Sequence, residues 1–159
     1  MRLTVALAVA LALSSASLLR AQGAMSYGTP ITAEVAKKIA APAIAEARKN
    51  QWFMAVAIVD THGELVYFEK MDDTQVGSVD VAIAKARSAA RFKRPTKAFQ
   101  DALAAGGEGL RILALQGAVA AEGGVPILMD GKIVGAIGLS GGTGQQDGVA
   151  ANAGVAAVK

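Results

Sequence analysis

The chain has 159 residues, 53% of them hydrophobic, with 18 glycines and no cysteine; this composition suits one domain with its own core and excludes disordered, fibrous and disulfide-framework classes. Sixteen Lys and Arg against 13 Asp and Glu give a formal charge of +3, and a single histidine is present. Zinc sites of the usual His-rich or Cys-rich kind are therefore excluded by count.

Residues 1–21 open with Arg2, an apolar run from Leu3 to Leu13 and small residues up to Ala21, the layout of a secretory signal peptide, with an apolar run too short to span a bilayer. Cleavage is expected to leave a mature start between Gln22 and Met25, and residues 22–159 form a single domain. Loss of Arg2 and Arg20 takes the basic count from 16 to 14 against 13 acids, a net charge of +1. The expectation is a periplasmic or secreted protein that neither inserts into a membrane nor binds nucleic acid.

Thr32 is placed to cap a helix from Ala33 to Asn50 with Val35, Ile39, Ala43 and Ala47 on one stripe, and Pro42 is expected to kink or break it. Trp52 to Asp60 is a nearly continuous apolar run, expected as a buried strand. Turn residues "THG" at 61–63 and the alternating "ELVYFEKM" at 64–71 complete a hairpin. Ser78 is positioned to cap a helix reaching Phe92, with Val79, Ile83, Ala86 and Ala90 inward, and Pro95 stops it. Thr96 to Ala104 reads as a short helix ended by Gly106 and Gly107; Leu110 to Leu115 is ambiguous. "GVPILMDGKIVGAIGLS" is strand, Asp130-Gly131 turn and strand. An Ala-rich helix closes the chain from Gly144 to Val158. Helix, hairpin, helices, hairpin, helix points to an α+β domain with an antiparallel sheet covered by helices.

"GLSGGTGQQD" at 138–147 fits the Gly-x-Ser-x-Gly pattern of a serine nucleophile. A hydrolase of that type needs its histidine after the serine, whereas His62 precedes Ser140 and only 19 residues follow it. Nor do Gly142, Thr143, Gly144 and Asp147 complete a nucleotide fingerprint. Two readings of this turn stay open. Thr143 and Gln146 can form a capping box with Asp147 in the first turn, or the amides at Gly142 and Thr143 can seat a carboxylate or propionate. His62 is either an axial iron ligand or acid/base, or a solvated turn residue. The six basic residues of "KARSAARFKRPTK" at 85–97 are either a solvated surface or a basic rim for an anionic ligand or a partner subunit.

Taken in order, "AVAIVDTHGELVYFEKMD", "AIAKARSAARFKRPT", "EGGVPILMDGKIVGAIGLSGGTGQQD" and "VAANAGVAA" resemble the GlcG/HbpS-like haem-binding family, which is related to the C-terminal domain of PduO. The resemblance runs from about Thr32 to Ala157. It implies a profilin-like sandwich, haem as cofactor with corrinoid second, and dimers that assemble to an octamer. It also implies a role in haem or iron handling or in redox sensing, as a binding protein more than a catalyst. Lys85, Ala86, Ser88 and Ala89 match the family's Lys-Ala-x-Thr-Ala helix, and Pro95 and Thr96 its Pro-Thr. Ser88 and Thr96 thereby become candidate haem contacts, with Arg91, Lys93 and Arg94 for the propionates. PduO-like domains use a histidine near the first helix, and none lies in residues 32–50. His62 is the substitute iron ligand, ahead of Met71 and Tyr67. The competing function is an enzyme or accessory protein that holds a small carboxylic acid at Gly141 to Gly144, with Asp147 or Glu122 as acid/base.

Overall fold

The computed structural model describes residues 25–158; the expected signal peptide lies outside them. In chain order the elements are α1 (Ala33–Lys49), β1 (Ala55–Asp60), β2 (Leu65–Lys70), α2 (Ser78–Phe92), α3 (Thr96–Ala104), a 3-10 helix at Gly107–Ala114, β3 (Gly124–Met129), β4 (Lys132–Ser140), α4 (Gly144–Val155) and a last 3-10 turn at Ala156–Val158. The expected hairpins form, and the fold is the α+β sandwich with a central antiparallel sheet. At the β3–β4 turn Asp130 and Gly131 both take positive φ, +50° and +71°, as a two-residue type I′ turn requires.

What local patterning leaves open is how the hairpins meet. The sheet order is β2-β1-β4-β3, so β1 and β4 are its centre, paired antiparallel from Ala55↔Ser140 to Asp60↔Gly135. Where β1 ends, the segment before α1 continues alongside β4: Gly28 N donates to Ile133 O at 2.8 Å and Ile31 N to Val134 O at 2.9 Å.

Strand alternation sends the two faces of β1 into two cores. Met54, Val56 and Ile58 join Ile137 and Leu139 under α1 and α4, against Ile39, Ala43, Ala47, Ala150 and Ala151. Ala55, Ala57, Val59 and Ala136 meet Ala82, Ala86, Ala89 and Ala90 of α2. The second core is built of small side chains, and the helix lies correspondingly close. A Cβ on Gly138 would sit 2.2 Å from Ala82 O and 2.5 Å from Ala86 N.

Two local expectations are corrected, and of the two outcomes expected at Pro42 the break does not occur: α1 continues through it. A mid-helix proline costs about 3 kcal/mol, but Ile39 and Ala40 before it and Ala43, Ile44 and Ala47 after it bury into the same core, so packing outweighs the lost hydrogen bond. Ser78 does not cap α2: Gly77 holds that position without a side-chain bond, and Ser78 is buried with its hydroxyl 3.2 Å from that of Ser140. The inward stripe of α2 is also rotated. Ala82, Lys85, Ala86, Ser88, Ala89 and Ala90 are buried while Val79 and Ile83 are only half-buried, because the glycine-lined sheet accepts small residues and not branched ones. Thr32 does cap α1, accepting from Val35 N at 3.4 Å.

Candidate functional site

The α2 helix organises the candidate residues, but it does not gather them. Its buried face carries Lys85, whose ammonium, 3% exposed, lies 2.7 Å from Asp147 Oδ2 and donates to Leu139 O at 3.1 Å. Asp147 completes its bonding by accepting from Gly142 N at 3.0 Å. Burial holds the Asp147 carboxyl above its ordinary range, and the Lys85 ammonium and the Gly142 amide offset only part of that rise. The first-turn carboxylate of α4 is thus a buried ion-pair partner and not a group open to a substrate.

The same internal bonding accounts for the glycine turn. Thr143 and Gln146 form the reciprocal capping box. Gly142 N is taken by Asp147, Thr143 N by Gln146 Oε1 at 2.8 Å and Gln146 N by Thr143 Oγ1 at 3.3 Å. Both amides expected to seat an anion, those of Gly142 and Thr143, are therefore already satisfied within the chain. Glu122 is half-buried against the first turns of α4, close to Gly148. Ser140 is buried with Ser78 as its hydroxyl partner, and no histidine approaches it.

Ser88 and Thr96 are both fully buried and each accepts one backbone amide, Ser88 Oγ from Val119 N at 3.0 Å and Thr96 Oγ1 from Gly124 N at 2.9 Å. They hold the incoming loop and strand β3 against the helices. Ser88→Ala strands the Val119 amide and is expected to cost about 1–3 kcal/mol, visible as a lower midpoint in urea and faster exchange of the Val119 amide proton.

On the outer side of α2 the structure forms a groove of about 280 Å³ lined by Asp80, Ile83, Ala84, Arg87, Arg91, Gly117 and Val119. Its far wall is the loop held by Ser88. The β1–β2 turn closes one end: Arg87 Nε donates to Gly63 O at 3.0 Å and Arg91 Nε to His62 O at 2.8 Å. The His62 side chain is 77% exposed, with Nδ1 3.4 Å from Thr61 Oγ1 and 3.8 Å from Asp60 Oδ2. These contacts occupy Nδ1 and leave Nε2 without a partner among the described residues. Asp60 Oδ1 also accepts the His62 and Glu64 amides at 2.8 and 2.9 Å, which sets the turn that carries the ring.

Other candidates lie elsewhere. Lys93 takes a left-handed conformation after α2, donates to Met25 O at 2.9 Å and stands 4.3 Å over the Tyr27 ring, so it straps the segment before α1. Arg94 faces a different groove, over Phe99 at 5.5 Å. Gly142 and Thr143 follow the end of β4 that pairs with Ala55, whereas His62 follows the opposite end of β1, about 17 Å along the strand at 3.3–3.4 Å per residue. One ligand cannot bridge both turns on this protomer through the packed sheet. Of the alternative iron ligands, Tyr67 donates to Glu69 Oε2 at 2.7 Å, a bond that raises its pKa, and Met71 packs on the core.

Sequence reading held Arg87 only as one of the six basic residues at 85–97, without assigning it to a propionate, and missed Gly117 and Val119. The signal for Arg87 was present, since Arg87 and Arg91 are one turn apart and share a face with Ile83; Gly117 and Val119 carried none, because only the Ser88 bond brings that loop to α2.

Residues 31–156 match the family model described as haem degrading protein HbpS-like. Protein GlcG of Escherichia coli K12 is 35% identical over 110 residues, 69% of this chain and 81% of that protein. Among solved structures, a double mutant of Streptomyces reticuli HbpS is 30% identical with a TM-score of 0.76 over 87% of this chain and 94% of that one. A PduOC:heme complex is 27% identical with a TM-score of 0.74 over 82% of this chain and 96% of that one. Among the described residues, no three His, Asp or Glu side chains cluster as a metal site, and no helix is long and apolar enough to cross a membrane.

Proposed function

The chain belongs to the HbpS-like family, and from that premise we propose that it is an exported haem-binding protein whose binding face is the outer groove of α2. The observation that carries the reading is the juxtaposition in that groove of two guanidiniums, Arg87 and Arg91, with apolar walls from Ile83, Ala84 and Val119, next to the sequence's single imidazole. Two guanidiniums, of which Arg91 also stands 3.8 Å from Glu64 Oε1, outnumber the single lining carboxylate, Asp80, and this donor set fits the group. Arg87 and Arg91 pair with propionates by charge-assisted hydrogen bonds, the apolar walls cover part of the macrocycle, and His62 Nε2 is the iron ligand, its ring oriented through Nδ1 by Thr61 and Asp60. Haem supplies a redox-active iron, which suits a protein of haem or iron handling or a redox sensor. A similar structure was solved as a PduOC:heme complex, which supports haem over corrinoid.

At about 280 Å³ the groove lies near the lower bound of about 300 Å³ for small-molecule sites and covers one side of a flat ligand. A second copy covering the other side is the role proposed for homo-oligomerisation, with dimers built into an octamer. The mature protein starts between Gln22 and Met25 and resides in the periplasm or outside the cell, which N-terminal sequencing of the exported protein checks.

Hemin titration tests the site. Wild type is expected to show a saturable Soret shift, His62→Ala a displaced band from altered ligation, and Arg87→Glu/Arg91→Glu an affinity lower by about tenfold or more, with circular dichroism confirming that the variants fold. The site assignment is wrong if the wild-type shift is absent or if it is identical in folded variants.

A further inference from the structure

A second groove carries a ligand chemistry of its own. The 3-10 helix Gly107–Ala114 lies across α3, and between them is a space of about 250 Å³ lined by Ala98, Phe99, Ala102, Ile112 and Leu115, with Arg94, Arg111 and Glu108 also in its lining. It shares no lining residue with the α2 groove.

The groove is a built feature with a firm floor. Phe99 is 3% exposed and Ile112 7%, and Phe99 is fixed edge-to-face on Phe92 at 5.3 Å. The close approach of the two helices depends on Gly109, where a Cβ would overlap Ala102 O. Arg94 is held over the Phe99 ring at 5.5 Å and donates through Nε to Phe92 O at 3.2 Å, so its orientation is set while its terminal amino groups stay uncommitted. Among the described residues, neither Arg94 nor Arg111 has a carboxylate within ion-pairing distance. Of the nearby acids, Asp101 is paired with Lys97 at 2.7 Å and Glu108 stays in the lining. The lining therefore sums to two guanidiniums against one carboxylate, Glu108, with an apolar floor between.

We propose that this groove binds a small monocarboxylate with an aromatic or branched hydrocarbon body, the carboxylate on Arg94 and Arg111 and the hydrocarbon on Phe99, Ile112 and Leu115. Net charge +1 at the lining matches one negative charge, and a planar guanidinium already seated on an aromatic ring is pre-organised for a carboxylate. Glu108 disfavours dianions. The small-acid chemistry expected at the Gly141–Gly144 turn thus has a better seat here, since the amides of Gly142 and Thr143 are committed internally and these two guanidiniums are not paired.

The test uses haem-free mature protein and the probes 3-phenylpropionate and 4-methylpentanoate, so a failed hemin titration leaves its outcome unaffected. Both acids are expected to raise Tm saturably and to shift the amide resonances of Ala98, Ala102 and Ile112. The neutral amide 3-phenylpropionamide should bind at least about tenfold more weakly, as should 3-phenylpropionate to Arg111→Gln. Arg111 is exposed, so that variant keeps the fold, and Arg87→Glu serves as the control expected to leave acid binding unchanged. Saturable binding that is equal for acid and amide, equal in Arg111→Gln, or absent up to millimolar acid overturns the proposal; so does a loss in Arg87→Glu as large as in Arg111→Gln.

Discussion

Lys85→Met is expected to lower unfolding free energy by about 3–5 kcal/mol, the usual cost of removing one member of a buried ion pair, read as a fall in the urea midpoint. The ammonium and carboxylate are 3% and 2% exposed and 2.7 Å apart. Methionine is close to lysine in volume, so packing is nearly kept while Asp147 is left buried beside a single amide donor at Gly142 and the Leu139 carbonyl loses its donor. Asp147→Leu should cost as much, through an unpaired buried ammonium. The informative measurement is the double variant. Replacing both charges by apolar groups restores most of the loss, because the desolvation penalty disappears with the attraction, and the coupling energy from the cycle should be favourable by more than about 1 kcal/mol. Additive losses would mean that the pair does not act as a unit. Lys85 ties α2 to the end of β4 and the start of α4, so the single variants should also loosen the glycine turn while hemin binding in the outer groove is retained below the unfolding transition.

The second large effect is expected at Gly138. The obstacle to a side chain there is backbone, Ala82 O at 2.2 Å and Ala86 N at 2.5 Å, which no rotamer change relieves. Gly138→Ala must push α2 off the sheet and open the alanine core of Ala55, Ala57, Ala86, Ala89 and Ala136. The expected loss is about 3 kcal/mol, at the upper end for overpacking, and Gly138→Val should not fold. Gly77→Ala is the matched control, since nothing lies within 4 Å of its Cβ position, and its midpoint should stay within about 0.5 kcal/mol of wild type. An unchanged midpoint in Gly138→Ala would show that the helix stands further from the sheet than the geometry gives. Because Arg87 and Arg91 ride on α2, a displaced helix should also weaken hemin binding in whatever fraction folds.

Much of the fold was legible because it is local. Asp130-Gly131 between two apolar runs, the Thr143–Gln146 box and the Thr32 cap each act within four residues, and all three form as patterned. The family resemblance likewise rested on ordered local motifs, and the match over residues 31–156 covers the same stretch. The errors came where tertiary packing overrides local preference: Ser78 buried instead of capping, and the rotated inward face of α2.

The candidate site was less legible. Arg91, Lys93 and Arg94 are neighbours in sequence, but α2 ends at Phe92 and the chain reverses through the left-handed Lys93, so these three face the α2 groove, Tyr27 and the α3 groove respectively. Ser88 and Thr96 were recognised as hydroxyls of interest, yet their partners, Val119 and Gly124, stand 31 and 28 residues away.

By itself, then, the sequence determined the helices, the two hairpins and their turns, and the family, since these depend on periodicity, caps and turn chemistry within a few residues. Only the tertiary structure decided that β1 pairs with β4, that Lys85 meets Asp147 across 62 residues, that the glycine turn satisfies its own amides, and that two separate grooves divide the arginines. Those outcomes depend on which apolar faces bury against each other, a choice made by close packing of the whole chain and not readable from any one segment.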